Sequence, residues 1–508
     1  MKTIKSLVLG SAAALVAVGG AQAADLPVKA KAVEYVRVCS LYGAGFYYIP
    51  GTDTCIKLGG YLRVDMGVNT NSIYGGNTSG AGGANNRFTN GYTWRSRDEF
   101  NIDTRTATEY GVVRTFMDVV FTWTDDTYGA NGSGGTIYSP IGTAAAPGNA
   151  SSGSVANGSL GVYYAFVQFA GFTIGKAVST FSAPWTNYPG NIYDGLVGGG
   201  GTVTGVNQFS YTADFGQGVS ASISAQDPTS YYQAGLNNIA AGGAFGTSDY
   251  AGTVVPDFVG TVQVDQAWGL FKASLASHDN HAAYYGGTEL TGHPDDRFGW
   301  AGQLALSIKN IPTGPGDVIN VQGVYTDGAT RYNIQDLAGA TANTVFGGTS
   351  LPGVYQSVGF GTAPDSVFTT GGSQHLIQTW GGRGAFNHNW DPYWSSAIYG
   401  AWAQVNYDGA SKALICGNGV TGGSFQLTYG AGVTSCNPDF SITQLGTITR
   451  WTPVKNLTFS GEFVYTHLDQ NMSGVAATGS SAVGKPTTLY QLKDQNTYQV
   501  LLRAQRNW

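Results

Sequence analysis

Apolar and polar residues alternate with period two along most of the chain. That is the pattern of strands with one apolar and one polar face. Near the start Leu58, Leu62, Val64, Met66 and Val68 share one parity, and Lys57, Tyr61, Arg63 and Asp65 take the other. Arg95, Arg97, Glu99, Asn101, Asp103 and Arg105 make one face polar over six alternate positions. Ala397, Tyr399, Ala401, Ala403, Val405 and Tyr407 form an apolar face against Ser396, Gln404 and Asn406. In the last segment Tyr498, Val500, Leu502 and Ala504 alternate with Gln499, Arg503 and Gln505.

Sandwiches alternate too, so the connections decide the architecture. Seven are tight, around Glu109-Tyr110-Gly111, Ala170-Gly171, Gly216-Gln217-Gly218, Ala267-Trp268-Gly269, Pro312 to Gly316, Trp390-Asp391-Pro392 and Pro453-Val454-Lys455. Between them fall eight longer connections near 70–92, 124–158, 182–204, 228–253, 280–296, 328–373, 409–437 and 469–492. Strict alternation of short and long links predicts an all-β fold, a transmembrane 16-stranded antiparallel β-barrel with short periplasmic turns and long external loops. Lipid offers no hydrogen-bond partners, so a sheet crossing it must close on itself. A sixteen-strand closure leaves an aqueous channel. Phe169, Phe172, Trp268, Phe271, Trp390, Tyr393 and Trp451 sit where strands meet turns and suit an interfacial girdle.

Composition sharpens this picture. Only 11% of residues are charged, against about 25% in soluble proteins, and 76 are glycine. Lys2 and Lys5, the apolar run Leu7 to Val18 and Ala21-Gln22-Ala23 read as a signal peptide over 1–23. Its removal takes the formal charge from −6 to −8, two lysines being lost and no acid. Residues 24–54 are expected to form an N-terminal periplasmic segment, and 55–508 the barrel. No later run is long and apolar enough for a spanning helix. The four cysteines allow three connectivities. The local pairs Cys39/Cys55 and Cys416/Cys436 are preferred, since each would pin a short excursion.

The chemistry on offer is that of a channel. The sequence contains no Gly-x-Ser-x-Gly elbow, and the run Gly198 to Gly201 lacks a phosphate loop's Lys-Ser/Thr, so it reads as loop flexibility. His278, His281 and His293 with Asp279, Asp295 and Asp296 crowd one long connection, which reads as a solvated loop sooner than a metal site. No metal site and no cofactor is expected. Arg63, Arg95, Arg97, Arg105 and Arg114 lie opposite the lipid face on three consecutive strands, with Asp65, Glu99, Asp103 and Asp118 interleaved, and the last strand adds Arg503. The connection Ser182 to Thr204 is compact and aromatic, carrying Trp185, Tyr188, Tyr193 and Asp194. It is expected to fold inward as a constriction, with Asp194 across from the arginine wall. The resulting transverse field would orient dipolar solutes.

The stretch Val38-Cys39-Ser40-Leu41-Tyr42-Gly43-Ala44-Gly45-Phe46-Tyr47-Tyr48-Ile49-Pro50-Gly51-Thr52-Asp53-Thr54-Cys55, continuing through Ile56 to Asp65, resembles the general porins of alphaproteobacteria. Ala24 to Ala30 and the closing Leu502 to Trp508 are similar to that family too. The resemblance implies a sixteen-stranded homotrimer in outer-membrane lipid, an inward third loop, and passive diffusion of small hydrophilic solutes and ions. It carries the two-cysteine block onto Cys39 and Cys55, and lumen arginines onto Arg63 and Arg503. Such porins usually end on phenylalanine, read by the barrel assembly machinery through the C-terminal strand. Here Trp508 keeps the aromatic character. Nucleic acid is not an expected partner. The nearest alternative is a substrate-specific channel with an arginine ladder. A surface adhesin would not need charged lumen faces, and a barrel hydrolase would need a triad that is not evident. Residues 24–54 are too few for the plug of an energy-coupled receptor.

Overall fold

The computed structural model describes residues 37–68, 92–124, 159–335, 345–346, 357–418, 422–478 and 488–508. The expected signal peptide, the start of the 24–54 segment, nearly all of the first two long connections and parts of the sixth, seventh and eighth lie outside them.

Two compact units emerge, residues 1–56 and 57–508. In the first, Tyr47–Tyr48 pairs antiparallel with Cys55 and Ile56. A disulfide joins Cys39 to Cys55 across 6.1 Å between Cα atoms. Phe46 packs against the buried sulfurs, and Arg37 sits over the Tyr48 ring.

The second unit is a closed sheet of sixteen antiparallel strands. They are β1 (Cys55–Val68, entering from the first unit), β2 (Tyr92–Thr108), β3 (Gly111–Thr124), β4 (Ser159–Phe169), β5 (Phe172–Ala177) and β6 (Val206–Asp214). Then come β7 (Val219–Gln226), β8 (Asp257–Gln266), β9 (Gly269–Asn280), β10 (Arg297–Lys309) and β11 (Val318–Asp327). The wall ends with β12 (Gln378–Asn389), β13 (Trp394–Asn406), β14 (Phe440–Val454), β15 (Leu457–Gln470) and β16 (Gln495–Asn507). Each strand pairs with its sequence neighbour, and β16 pairs with β1 from Tyr61↔Asn507 to Val68↔Val500. The ladder has no free edge, as lipid requires. The seven short turns and eight long connections fall where the sequence placed them, the last turn shifting to Lys455-Asn456.

Outward positions are apolar and open to lipid: Leu275 is 58% exposed while its neighbour Ala276 is 1%. One apolar face is turned the other way. Ile398 is 63% exposed and Tyr399 only 5%, so the apolar set from Ala397 to Val405 points inward, not toward lipid. Long connections fill this half of the interior and keep it dry, so the inner face can be as apolar as the outer. Ile192, Tyr193, Leu196 and Val197 share one core with those wall residues. The same core takes Phe245, Phe360, Phe425 and Tyr429 from three other connections, with Phe360 5.2 Å from Phe425. Two short helices, α1 (Gly409–Cys416) and α2 (Ser424–Tyr429), lie in the seventh connection. Asp408 caps α1 by accepting from the Ser411 amide, and a disulfide joins Cys416 to Cys436.

Candidate functional site

The charged inner wall comes from β1, β2, β3 and β16. Strand parity puts Arg63 and Asp65, then Arg95 to Arg105, then Arg114 and Asp118, and finally Arg503 on the same side. Register then pairs them. Asp65 is surrounded by three guanidinium groups, with Arg95 at 2.6 Å, Arg503 at 2.6 Å and Arg63 at 3.4 Å. Its side chain is 3% exposed, so the charges are poorly screened and the cluster keeps a net positive charge. Toward the turn end, Asp103 takes both Arg105 and Arg114 at 3.0 Å. Between these clusters Arg97 donates to the Thr122 hydroxyl at 3.0 Å, and Asn101 donates to Glu99 at 3.3 Å. Asp118 lies within the fields of Glu99 and Arg97.

The opposite wall, from β9 to β15, is occupied by Ser182 to Gly201. Inward side chains of the wall hold its backbone. Lys272 donates to the Ser182 carbonyl at 2.8 Å, Asn320 to Pro189 at 2.7 Å, and Arg450 to Gly190 at 2.7 Å. Arg383 spans the segment, donating to Leu196 at 3.0 Å and to Thr186 at 2.6 Å. Glu462 accepts from the Ile192 amide at 3.1 Å, and Gln444 accepts from Val197 at 2.9 Å. Trp185 donates to Gln322 at 2.6 Å. Tyr188 donates to Asp194, and Tyr193 is fully buried in the core.

Two sequence readings are corrected here. Gly198 to Gly201 is not a flexible tether. Gly198 has φ +85°, and a Cβ there would stand 2.3 Å from the Gly382 carbonyl; one on Gly199 would stand 1.8 Å from the Gln322 amide. The amides of Gly198 and Gly199 donate to the Asn333 carbonyl, and Gly200 donates to Tyr332. These glycines let backbone meet backbone. Nor is the histidine group wholly a solvated loop. His278 ends β9, fully buried, with Nδ1 2.8 Å from Asp257 and Nε2 3.6 Å from Asp365. His281 instead faces Asp296 at 2.8 Å, and His293 turns to the Pro294 carbonyl. Among the described residues no three His, Cys, Asp or Glu side chains group as metal ligands.

Comparison with known proteins bears on this interior. The family described as Porin subfamily matches residues 25–501. The chain belongs to that porin family. Porin Omp2b of Brucella suis biovar 1 is 35% identical over 277 residues, covering 54% of this chain and 65% of the relative. Porin Omp2b of Brucella melitensis biotype 1 matches over the same shares. The matched region thus spans less than two thirds of those relatives. The outer membrane channel DcaP of Acinetobacter baumannii superposes with a TM-score of 0.54 over 91% of this chain and 99% of that one, at 15% identity, which shows a common fold. Membership of the porin family, in a closed barrel, makes this a bacterial outer-membrane protein and points to a channel rather than an enzyme.

Sequence reasoning missed Lys272, Arg383, Arg450 and Glu462, the residues that hold the porin's third long connection. Arg450 and Glu462 stand alone among uncharged neighbours, and the glycines at 381, 382 and 384 obscure the parity of Arg383. Their one signal was a charge inside a strand otherwise poor in charge.

Proposed function

We propose that this porin forms a passive, water-filled diffusion channel for small hydrophilic solutes and ions, with Ser182 to Thr204 as its constriction. The observation that carries the reading is the division of the interior. One wall is covered by that segment, and the other presents Arg63, Arg95 and Arg503 around Asp65, with Arg97 beyond them on Thr122. The pair Tyr188–Asp194 supplies the acidic side, and the fields of Arg63 and Arg503 reach Tyr188. A transverse field of this kind favours polar solutes over apolar ones, which must displace oriented water.

The test is conductance of the purified protein in planar bilayers. Discrete open steps are expected, and removal of Ile192 to Gly200 should enlarge them; unchanged steps would exclude the constriction. Liposome swelling with sugars of graded size should show a smooth cut-off, whereas a sharp preference would favour a substrate-specific channel. We also propose a homotrimer, and assembly through the aromatic C-terminal strand. Chemical cross-linking in mild detergent should give a three-subunit band.

A further inference from the structure

Between Arg114 of β3 and the point where the third long connection leaves the wall lies a group of aromatic side chains that charge pairing does not explain. The register of β3 against β4 shifts between Asp118 and Val119, which pair with Tyr164 and Val162 and leave Tyr163 as an extra residue. Such a bulge re-aims side chains. Phe116 lies directly opposite Phe166, ring centroids 5.4 Å apart, and 6.3 Å from Tyr164. The Arg114 guanidinium sits over both phenylalanines, 5.1 and 5.5 Å from their centroids. Three of its five N–H groups are engaged: one on Nε and one on a terminal nitrogen to Asp103 at 3.0 Å each, and one on the other terminal nitrogen to the Gln168 side-chain carbonyl at 2.9 Å.

Beside these rings is a cavity of about 340 Å³. Phe116, Tyr164 and Phe166 line it together with the polar side chains of Gln168, Thr173 and Ser210. Parity turns these side chains inward, since Phe172 and Ile174 point out to lipid and Ser210 is 3% exposed. The site therefore combines a rigid aromatic surface with hydroxyls and an amide, groups that both donate and accept. Small-molecule sites share that composition and size range.

We infer that this cavity is a subsite for a neutral, ring-shaped polyol, a monosaccharide, on its way through the lumen. The C–H face of a pyranose covers the aromatic rings, and its hydroxyls exchange hydrogen bonds with the polar side chains. An anion would have to share Arg114 with the Asp103 carboxylate, which already pairs its charge. A wholly apolar solute would cover the rings but make no use of the Thr173 and Ser210 hydroxyls, which can take a further partner beside their bonds to Gln168 and the Thr173 carbonyl. The inference rests on the channel reading above and adds a substrate class to it.

The test is ion current through the purified channel in planar bilayers, titrated with D-glucose, sorbitol or benzoate. Glucose should reduce the current saturably. Sorbitol, an acyclic polyol of similar size, should do so much more weakly. Phe166→Ala should weaken the glucose effect about tenfold, the scale of one lost aromatic contact, while Phe166→Tyr keeps it. Normal conductance without a saturable glucose effect would overturn the subsite and leave the channel standing. Tighter block by benzoate than by glucose would overturn the neutral-ring assignment. Failure to conduct at all would remove the channel reading and the subsite with it.

Discussion

Asp65 is one carboxylate among Arg63, Arg95 and Arg503, and a β1 side chain with so little solvent depends on its partners. Removing it leaves three guanidinium groups facing one another. Loss of one partner from a buried ion pair costs about 3–5 kcal/mol. Asp65→Ala should therefore lower the temperature at which the folded gel band converts to the unfolded one. In a salt gradient its reversal potential should move toward anion preference; an unmoved potential would mean that the cluster lies off the ion path. Parity alone placed these four residues on one face. Pairing them was beyond the sequence, because Arg95 is 30 positions from Asp65 and Arg503 is 438. Arg383 shows the reverse limit, since its role depends on a segment folded against it and on nothing in its own strand.

At the scale of elements, the third long connection stays against the wall through close backbone approach. Gly198→Val would drive a branched side chain into the Gly382 backbone carbonyl at a positive φ, so larger or noisier single-channel steps are expected. A trace identical to wild type would contradict the packing described. The turn before β11 carries a different load. Burial pulls the Asp317 carboxyl upward, but the Thr313 hydroxyl at 2.6 Å, the Asn389 amide at 2.9 Å and His388 at 2.6 Å outweigh it and hold its pKa down to about 2. A depressed carboxylate stabilises the fold above the unfolded value, and that stabilisation is lost as pH falls from about 4 toward 2. Asp317→Asn should flatten the acid limb of barrel stability, measured by circular dichroism on heating in detergent at stepped pH. In the seventh connection, Cys416→Ser with Cys436→Ser should cost about 3 kcal/mol by the loop-entropy account and speed protease nicking between α1 and β14. Turn positions were legible because glycine, proline and asparagine mark them. The inward packing of Phe245, Phe360 and Phe425 was not, because these aromatics stand singly in glycine-rich stretches.

The whole molecule was the most legible level. Period two, an alternation of short and long links, and few charges determine a closed sheet, and the sheet has the number of strands that count requires. What the pattern could not reveal is which side is dry. A filled half-lumen makes the inner face of β13 as apolar as its outer face, and hydropathy cannot separate the two. Closure itself has a direct test. Val64 and Ala504 are partners across the seam, and paired strand residues lie within disulfide reach. Cysteines at both positions should cross-link in the folded protein and trap a compact gel form. Absence of the bond under oxidising conditions would refute the seam.

That seam also shapes how the protein reaches its folded state. Every other pairing in the wall joins neighbours in sequence and can form as a local hairpin. The β1–β16 contact has to bring Asp65 and Arg503 together across nearly the whole polypeptide, and distant contacts form slowly. Until they meet, two unsatisfied strand edges remain open, each a template for another chain. Folding is therefore governed by one late ring closure, and aggregation competes with it in the interval before the first and last strands meet.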